Sequence, residues 1–217
     1  MNTGSPAEAA RSARAEQRRH QLLTAAARLM ERDGFHGVSM QALAEEASVS
    51  VGLIYRYFGG KDEVLLAVIW RVLDAFASQV PEAIDKAGAD PVERTAAAFA
   101  AYCTIIDEHR HAAVLTYRES RTLSAEGRAH IKNAEVETGR PLRACLREAV
   151  DEGLFRDVDV ELCSYDLLLL AHGWALKYWY FEHSHDLEDY VRTQTALMFG
   201  GLLRPEHRGS YTHLLAG

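Results

Sequence analysis

The sequence predicts an all-α protein, a small N-terminal helical domain followed by a larger helical one, and three observations lead there. Apolar residues recur at three- and four-residue intervals, the spacing that gives a helix one apolar face. No stretch alternates at period two like a half-buried strand, and no glycine-rich phosphate loop interrupts the pattern. Caps and breakers cut the periodic runs into about nine helices.

The first helix begins near Ala15. Ser39 is placed to cap a second, in which Met40, Leu43, Ala44 and Ala47 fall on one face. Ser48-Val49-Ser50 ends it and starts a third: Val49 plugs the core between the two helices and Ser50 caps Val51 to Tyr57, about two turns. A fourth is expected from Lys61 to Gln79, with Val64, Leu65, Val68, Val72, Leu73 and Phe76 on its apolar side and Pro81 closing it. Asp90-Pro91-x-Glu93 combines a cap, a proline at the first helical position and an acid at the third, opening a helix to about His109. Further helices are expected at His111 to Arg121, Ser124 to Glu152 with a break at Gly139-Arg140-Pro141, Asp159 to Glu182, and Leu187 to Leu203. Gly153 ends the Ser124 to Glu152 segment. The expected organisation is a basic arm over 1–14, a first domain over 15–61 and a second over 62–217.

Composition agrees with a globular chain of one or two domains: 217 residues, 48% hydrophobic and 25% charged. No run reaches about 18 uninterrupted apolar residues, so no membrane span is expected. The opening MNTGSPAEAARSARAEQRRH has arginines without an apolar core behind them, unlike a signal peptide, and the cytoplasm is the expected compartment. The net charge of −7 is unevenly spread. Residues 1–61 hold eight Lys/Arg against six Asp/Glu, and the remainder sixteen against twenty-five. Arg11, Arg14, Arg18 and Arg19 crowd the start of the first helix, where an extended arm would reach a minor groove or phosphates; a solvated tail is the plainer reading.

Ser39 to Lys61 reads as a helix-turn-helix. The run Val49-Ser50-x-Gly52-x-Ile54-Tyr55-x-Tyr57-Phe58-x-x-Lys61-Asp62 resembles the DNA-binding domain of the tetracycline-repressor (TetR) family of bacterial transcription regulators. Two positions depart from the family pattern: Ser48 stands where glycine is usual, and Gly60 where a serine or asparagine cap is usual. The resemblance implies a homodimer on palindromic double-stranded operator DNA. Its DNA-binding set is Ser39, Gln41, Ser50, Val51, Gly52, Leu53, Tyr55, Arg56, Tyr57 and Lys61. Tyr55, Tyr57 and Lys61 match positions that hold phosphate or the groove wall, while Gln41, Val51, Gly52, Leu53 and Arg56 are left to read bases. Ile54 and Phe58 are expected in the core. In the family the last two helices pair with their mates in a four-helix bundle, which places Ala196, Phe199, Gly200 and Leu203, with Leu197 and Leu202, at the dimer interface; completing the monomer core is the alternative.

Two stretches point to a sensor: Ala113 to Arg121, and Ala171 to Phe181, where aromatics are far denser than the chain's 9%. Tyr117, His172, Trp174 and Tyr178 can enclose an apolar ligand while Arg118, Arg121, His172 and Lys177 orient a polar or anionic end. These stretches are similar to those of family members that respond to acyl-CoA thioesters of fatty-acid and sterol breakdown. A small hydrophobic or acyl-CoA-like effector is therefore expected, with the control of efflux by diverse lipophilic drugs or metabolites as the alternative; ordinary packing and surface ion pairs remain open for each residue. Cys103, Cys145 and Cys163 fall on three helices without C-x-x-C spacing and read as buried thiols. Neither a nucleophile elbow nor H-E-x-x-H occurs, so no enzyme activity, cofactor or metal is expected.

Overall fold

Two serines set the geometry of the N-terminal domain. The computed structural model describes residues 6–217, beginning with α1 (Pro6–Asp33), α2 (Met40–Glu46) and α3 (Val51–Phe58). Ser39 Oγ accepts the Ala42 N–H at 3.0 Å and Ser50 Oγ the Leu53 N–H at 3.2 Å, so each short helix has a donor of its first turn satisfied. Between them Ser48 takes φ +53°, the left-handed geometry the turn demands, and lets Val49 N–H reach back to Ala44 O at 2.9 Å. Leu22, Met30, Phe35, Leu43 and Ile54 then close a core in which each is at most 3% exposed.

α4 (Lys61–Lys86) carries that core into the second domain. It buries ten side chains, from Val64 to Ile84, and packs against α1, α3, α5 (Pro91–Glu108), α6 (Arg110–Glu119) and α7 (Ala125–Thr138). By length and composition alone α4 could cross a membrane, but its apolar side is taken up by this core. A 3-10 turn over Ser120–Thr122 joins α6 to α7; then come α8 (Arg140–Asp151), α9 (Val160–Leu176), α10 (Tyr178–Phe181) and α11 (Leu187–Leu202). A 3-10 segment, Pro205–Tyr211, and α12 (Thr212–Leu215) fold back on α11. Among the described residues there is no strand, only one isolated bridge between Phe155 and Leu203. Cys103, Cys145 and Cys163 are free and buried.

The all-α class, the breaks at Gly139 and Gly153 and the missing cap at Gly60 match expectation, while three details do not. Pro81 does not end α4: the carbonyl it leaves without a partner is that of Ala77, on the exposed side, and Val80 and Ile84 beyond it are buried. Residues 6–14 of the expected arm are part of α1, so Arg11 and Arg14 stand on a helix; residues 1–5 lie outside the described residues. Among the described residues twelve α-helical segments replace the expected nine, because the break at Gly139 makes α7 and α8 of one expected segment, because Lys177, at φ −120°, separates α10 from α9, and because the C-terminal segment is helical. As its glycine implies, Gly60 opens α4 without a side-chain cap, and the Glu63 carboxylate folds over the space a Cβ would fill.

A left-handed serine costs about 1 kcal/mol that glycine does not. Ser48→Gly should raise the midpoint of thermal unfolding by about 2–4 °C; an unchanged or lower midpoint in calorimetry would show that the turn carries no strain.

Candidate DNA interface and effector site

The face that α2 and α3 present is built so that its core side is apolar and its outer side is not. Ile54 is fully buried and Phe58 partly so, under the Arg19 guanidinium 5.6 Å from its ring, whereas Gly52, Tyr55 and Arg56 project outward. Tyr55 is 51% exposed, a large aromatic that the protein's own packing leaves open. Val51, Leu53 and Tyr57 are partly buried along the same helix, with Arg56 over the Tyr57 ring at 5.7 Å. Ser39 and Ser50 are exposed beside their capped N–H groups. Gln41 is exposed too, and its Nε2 donates to Glu45 Oε1 at 3.1 Å.

Lys61 behaves differently from the expected phosphate ligand. Its ammonium donates to the carbonyls of Phe35 at 2.9 Å and Val38 at 2.8 Å, and more weakly to His36 at 3.4 Å, while sitting 4.7 Å from the Phe35 ring centroid. Three donors meet three carbonyls of the α1–α2 loop, so in this structure the side chain ties the start of α4 to that loop instead of facing outward.

In the second domain five helices enclose a cavity of about 120 Å³. Val72 and Phe76 of α4, Tyr102 and Ile106 of α5 form its floor, and Tyr117, Glu135, Tyr165 and Leu169 its rim, where the last two project from α9 half-exposed. Phe76 packs against Tyr102 with centroids 4.9 Å apart and against His172 at 6.3 Å. Tyr102 donates its hydroxyl to Thr138 O, and burial pushes that phenol far up. The polar centre is a pair: the Tyr117 hydroxyl and His172 Nδ1 are 2.6 Å apart. Burial holds His172 down to a pKa of about 4, so the imidazole is neutral at pH 7; in the tautomer whose Nδ1 accepts the tyrosine's hydrogen bond, Nε2 carries the N–H.

Tyr117 and His172 are therefore where the sequence placed them, and the remaining expected ligand residues are elsewhere. Arg118 turns away from the cavity and donates to Glu31 O of α1 at 3.1 Å. Arg121 and Lys177 are exposed and line no part of it. Trp174 is 3% exposed, bonded through Nε1 to Asp107 at 2.7 Å and stacked on Phe181; it belongs to the core. Tyr178 lies beneath the Arg110 guanidinium, 3.6 Å from its centroid. Phe76, Tyr102, Ile106, Glu135, Tyr165 and Leu169 went unassigned, because a cavity assembled from five helices leaves no local pattern in any of them.

Direct contacts join the sensor to the reader. Beside Arg118, His111 of α6 pairs with the Glu31 carboxylate. Arg71 of α4 donates to His20 O at 3.0 Å and Thr24 Oγ1 at 2.8 Å on α1, and its second amino group meets His109 Nδ1 at 3.0 Å, at the α5–α6 junction. Burial, reinforced by the Arg71 charge, holds His109 down to about 4 as well.

The expected dimer residues divide. Phe199 and Leu203 are fully buried, the first against Phe155 at 5.5 Å, so they complete the monomer and offer nothing to a second copy. Ala196 and Gly200 are partly exposed, near Gly217 and Arg208 of the returning C-terminal segment. Large apolar side chains stand out instead at Leu162, Tyr165 and Leu169, spaced three and seven residues along α9, and at Leu197 of α11; each is 47–69% exposed.

Comparison with known proteins agrees with this architecture. The family model described as bacterial regulatory proteins, tetR family, matches residues 22–68, and the one described as tetracyclin repressor-like, C-terminal domain, matches 88–202. The chain is 38% identical over 183 residues to the HTH-type transcriptional regulator HbdR of Aromatoleum sp. (strain CIB), spanning 84% of this chain and 80% of that protein. It is 29% identical over 148 residues to the HTH-type transcriptional repressor KstR2 of Mycobacterium tuberculosis, 67% of this chain and 73% of that one. Among solved structures, the TetR family regulator PfmR of Thermus thermophilus superposes with a TM-score of 0.74 at 27% identity, covering 84% of this chain and 99% of that one.

Because His109 and His172 stay neutral when folded down to about pH 4 while unfolded histidines take up a proton near pH 6.5, the unfolded state binds more protons between those values. Stability should be full above about pH 6.5 and fall on acidification towards pH 4, by up to about 1.4 kcal/mol per pH unit for each histidine. Urea unfolding at pH 7 and pH 5 measures this, and the double variant His109→Gln/His172→Gln should flatten the dependence; an unaltered slope would rule these two groups out.

Proposed function

Since the chain belongs to the tetracycline-repressor family of bacterial transcriptional regulators, and is a regulator rather than an enzyme, we propose that it is a repressor released from a palindromic operator by an acyl-CoA-type thioester. Reader and sensor are joined by one observation that carries this reading: α6 lines the effector cavity through Tyr117 and, one residue on, grips α1 through Arg118. An effector that displaces the Tyr117–His172 pair acts on the helix that holds the reader.

On the DNA side, Tyr55, Tyr57 and the exposed hydroxyls of Ser39 and Ser50, which accept from their helices and keep an O–H to donate, set register on phosphates, while Gln41, Gly52 and Arg56, with the partly exposed Val51 and Leu53, face base edges. Arg suits guanine, Gln adenine, and the apolar pair thymine methyls. Lys61 contributes by fixing the α1–α2 loop. Two readers about 34–36 Å apart meet a palindrome on one DNA face, and the apolar stripe of α9 with Leu197 of α11 is the surface that brings two copies together.

Coupling needs only a modest preference. A hundredfold loss of operator affinity corresponds to about 2.7 kcal/mol of differential binding between the two states. By linkage, operator weakens effector binding by the same factor. Control of efflux by lipophilic drugs is the second reading, favoured by the apolar floor of the cavity.

Operator DNA selected from the chain's own genomic neighbourhood and titrated with acyl-CoAs, the free acids, CoA and lipophilic drugs tests the reading. Thioesters should release the DNA where acids and CoA do not; Arg118→Ala should keep operator and effector binding but blunt release at least fivefold. Release by drugs alone would move the assignment to efflux, and equal effector affinity with and without operator would end the coupling scheme. In light scattering at micromolar concentration the protein should be a dimer and Leu162→Glu/Leu197→Glu a folded monomer; a monomeric parent protein would sink the palindrome model.

A further inference from the structure

The effector cavity does not end at its rim. A second cavity, of about 240 Å³, adjoins it and shares Thr116, Tyr117 and Glu135 as a common wall. Their linings differ in kind. Among the described residues lining the inner chamber there is no lysine or arginine; the outer cleft adds Ser120, Arg128 and Lys132. Arg128, Lys132 and Glu135 stand on α7 at i, i+4 and i+7, one face of the helix, so the two cations flank the opening together. Lys132 is exposed, whereas Arg128 also donates to the carbonyls of Arg121 and Leu123.

We infer that the two cavities are one site for a compact acyl thioester: the inner chamber takes an acyl group no larger than a single ring or a short branched chain, and the outer cleft takes the phosphate-bearing arm through Arg128 and Lys132. This rests on the repressor reading above and narrows its effector. Size is the first reason. A chamber of about 120 Å³ is slightly smaller than the about 150 Å³ cavity that takes benzene. A long acyl chain or a fused-ring fragment exceeds it, with Phe76, Tyr102 and Ile106 as a floor that is 5% exposed or less. Charge is the second. A free acid would bring a carboxylate against Glu135 and a neutral His172 with no cation beside it, an uncompensated anion in an apolar chamber. A thioester carbonyl is uncharged and can accept a hydrogen bond from the Tyr117–His172 pair, while the phosphates stay outside with the cations, where exposure keeps their desolvation small. Tyr117 is part of the wall between the chambers, so a ligand that threads both passes against the residue next to Arg118.

Calorimetric titration of the full-length dimer, paired with operator release, tests this with isovaleryl-, benzoyl-, octanoyl- and palmitoyl-CoA and with the N-acetylcysteamine thioesters of the first two, which keep the acyl group and lack phosphate. The compact CoA thioesters should bind at least tenfold tighter than the two longer ones. Lys132→Glu should weaken the compact CoA thioesters at least tenfold and leave the N-acetylcysteamine forms unchanged, and Ile106→Ala should bring octanoyl-CoA closer to isovaleryl-CoA. Equal or tighter binding of palmitoyl-CoA overturns the size limit, and equal losses for both thioester forms in Lys132→Glu overturn the outer cleft. If no thioester of any length binds while lipophilic drugs release the operator, the repressor reading for CoA thioesters fails instead, a distinct result.

Discussion

Everything else in the molecule is arranged around the double membership of α4. Its N-terminal ammonium, on Lys61, is anchored in the α1–α2 loop; its middle, through Val72 and Phe76, is the floor of the effector cavity; and its last buried residue is Ile84. At about 1.5 Å per residue the 26-residue helix is a rod of about 39 Å along which one core runs from the first domain into the second. A rod buried along one whole side does not bend locally at low cost, so on the proposed reading a displacement at the cavity floor would reach the reader as a rigid movement. Pro81 is tolerated because it falls after the part that transmits, on the solvent side.

Beside that rod, α6 makes a shorter connection. Arg118 and His111 hold α1 by a backbone carbonyl and a carboxylate of the same residue, Glu31, and Arg71 closes a second link through His20, Thr24 and His109. Two neutral histidines flank this network, the partly buried His109 bonded to Arg71 at the junction and His172 bonded to Tyr117 in the cavity. Burial makes both poor proton acceptors, so each serves as a hydrogen-bonding group of fixed charge, and the cavity keeps an uncharged polar centre.

Tyr165 and Leu169 have two roles: rim of the cavity and part of the apolar stripe of α9. On the proposed reading, an effector and a second copy of the chain would meet the same helix at shared residues. Pocket occupancy and the geometry of the proposed dimer are joined there by contiguity, with no long chain of intermediaries between them.

What was legible in the sequence was legible because it is local. A cap, a left-handed turn and an apolar face each depend on residues three or four apart, so Ser39, Ser48, Ser50 and Ile54 were readable one by one, and the helix-turn-helix with them. The charge asymmetry and the helical periodicity are sums over the chain and needed no coordinates. Tertiary structure alone decided the rest, since side-chain direction is settled by neighbours distant in sequence. Lys61 finds carbonyls 23 to 26 residues away, Arg118 finds one 87 away, and Phe199 and Leu203 face inward because the chain around Phe155 and the C-terminal segment fill the other side of α11. The sequence by itself determined the helices, their caps and the reader; packing decided which cations face a ligand, which aromatics are core, and where a cavity opens, because each of those is a property of several helices at once.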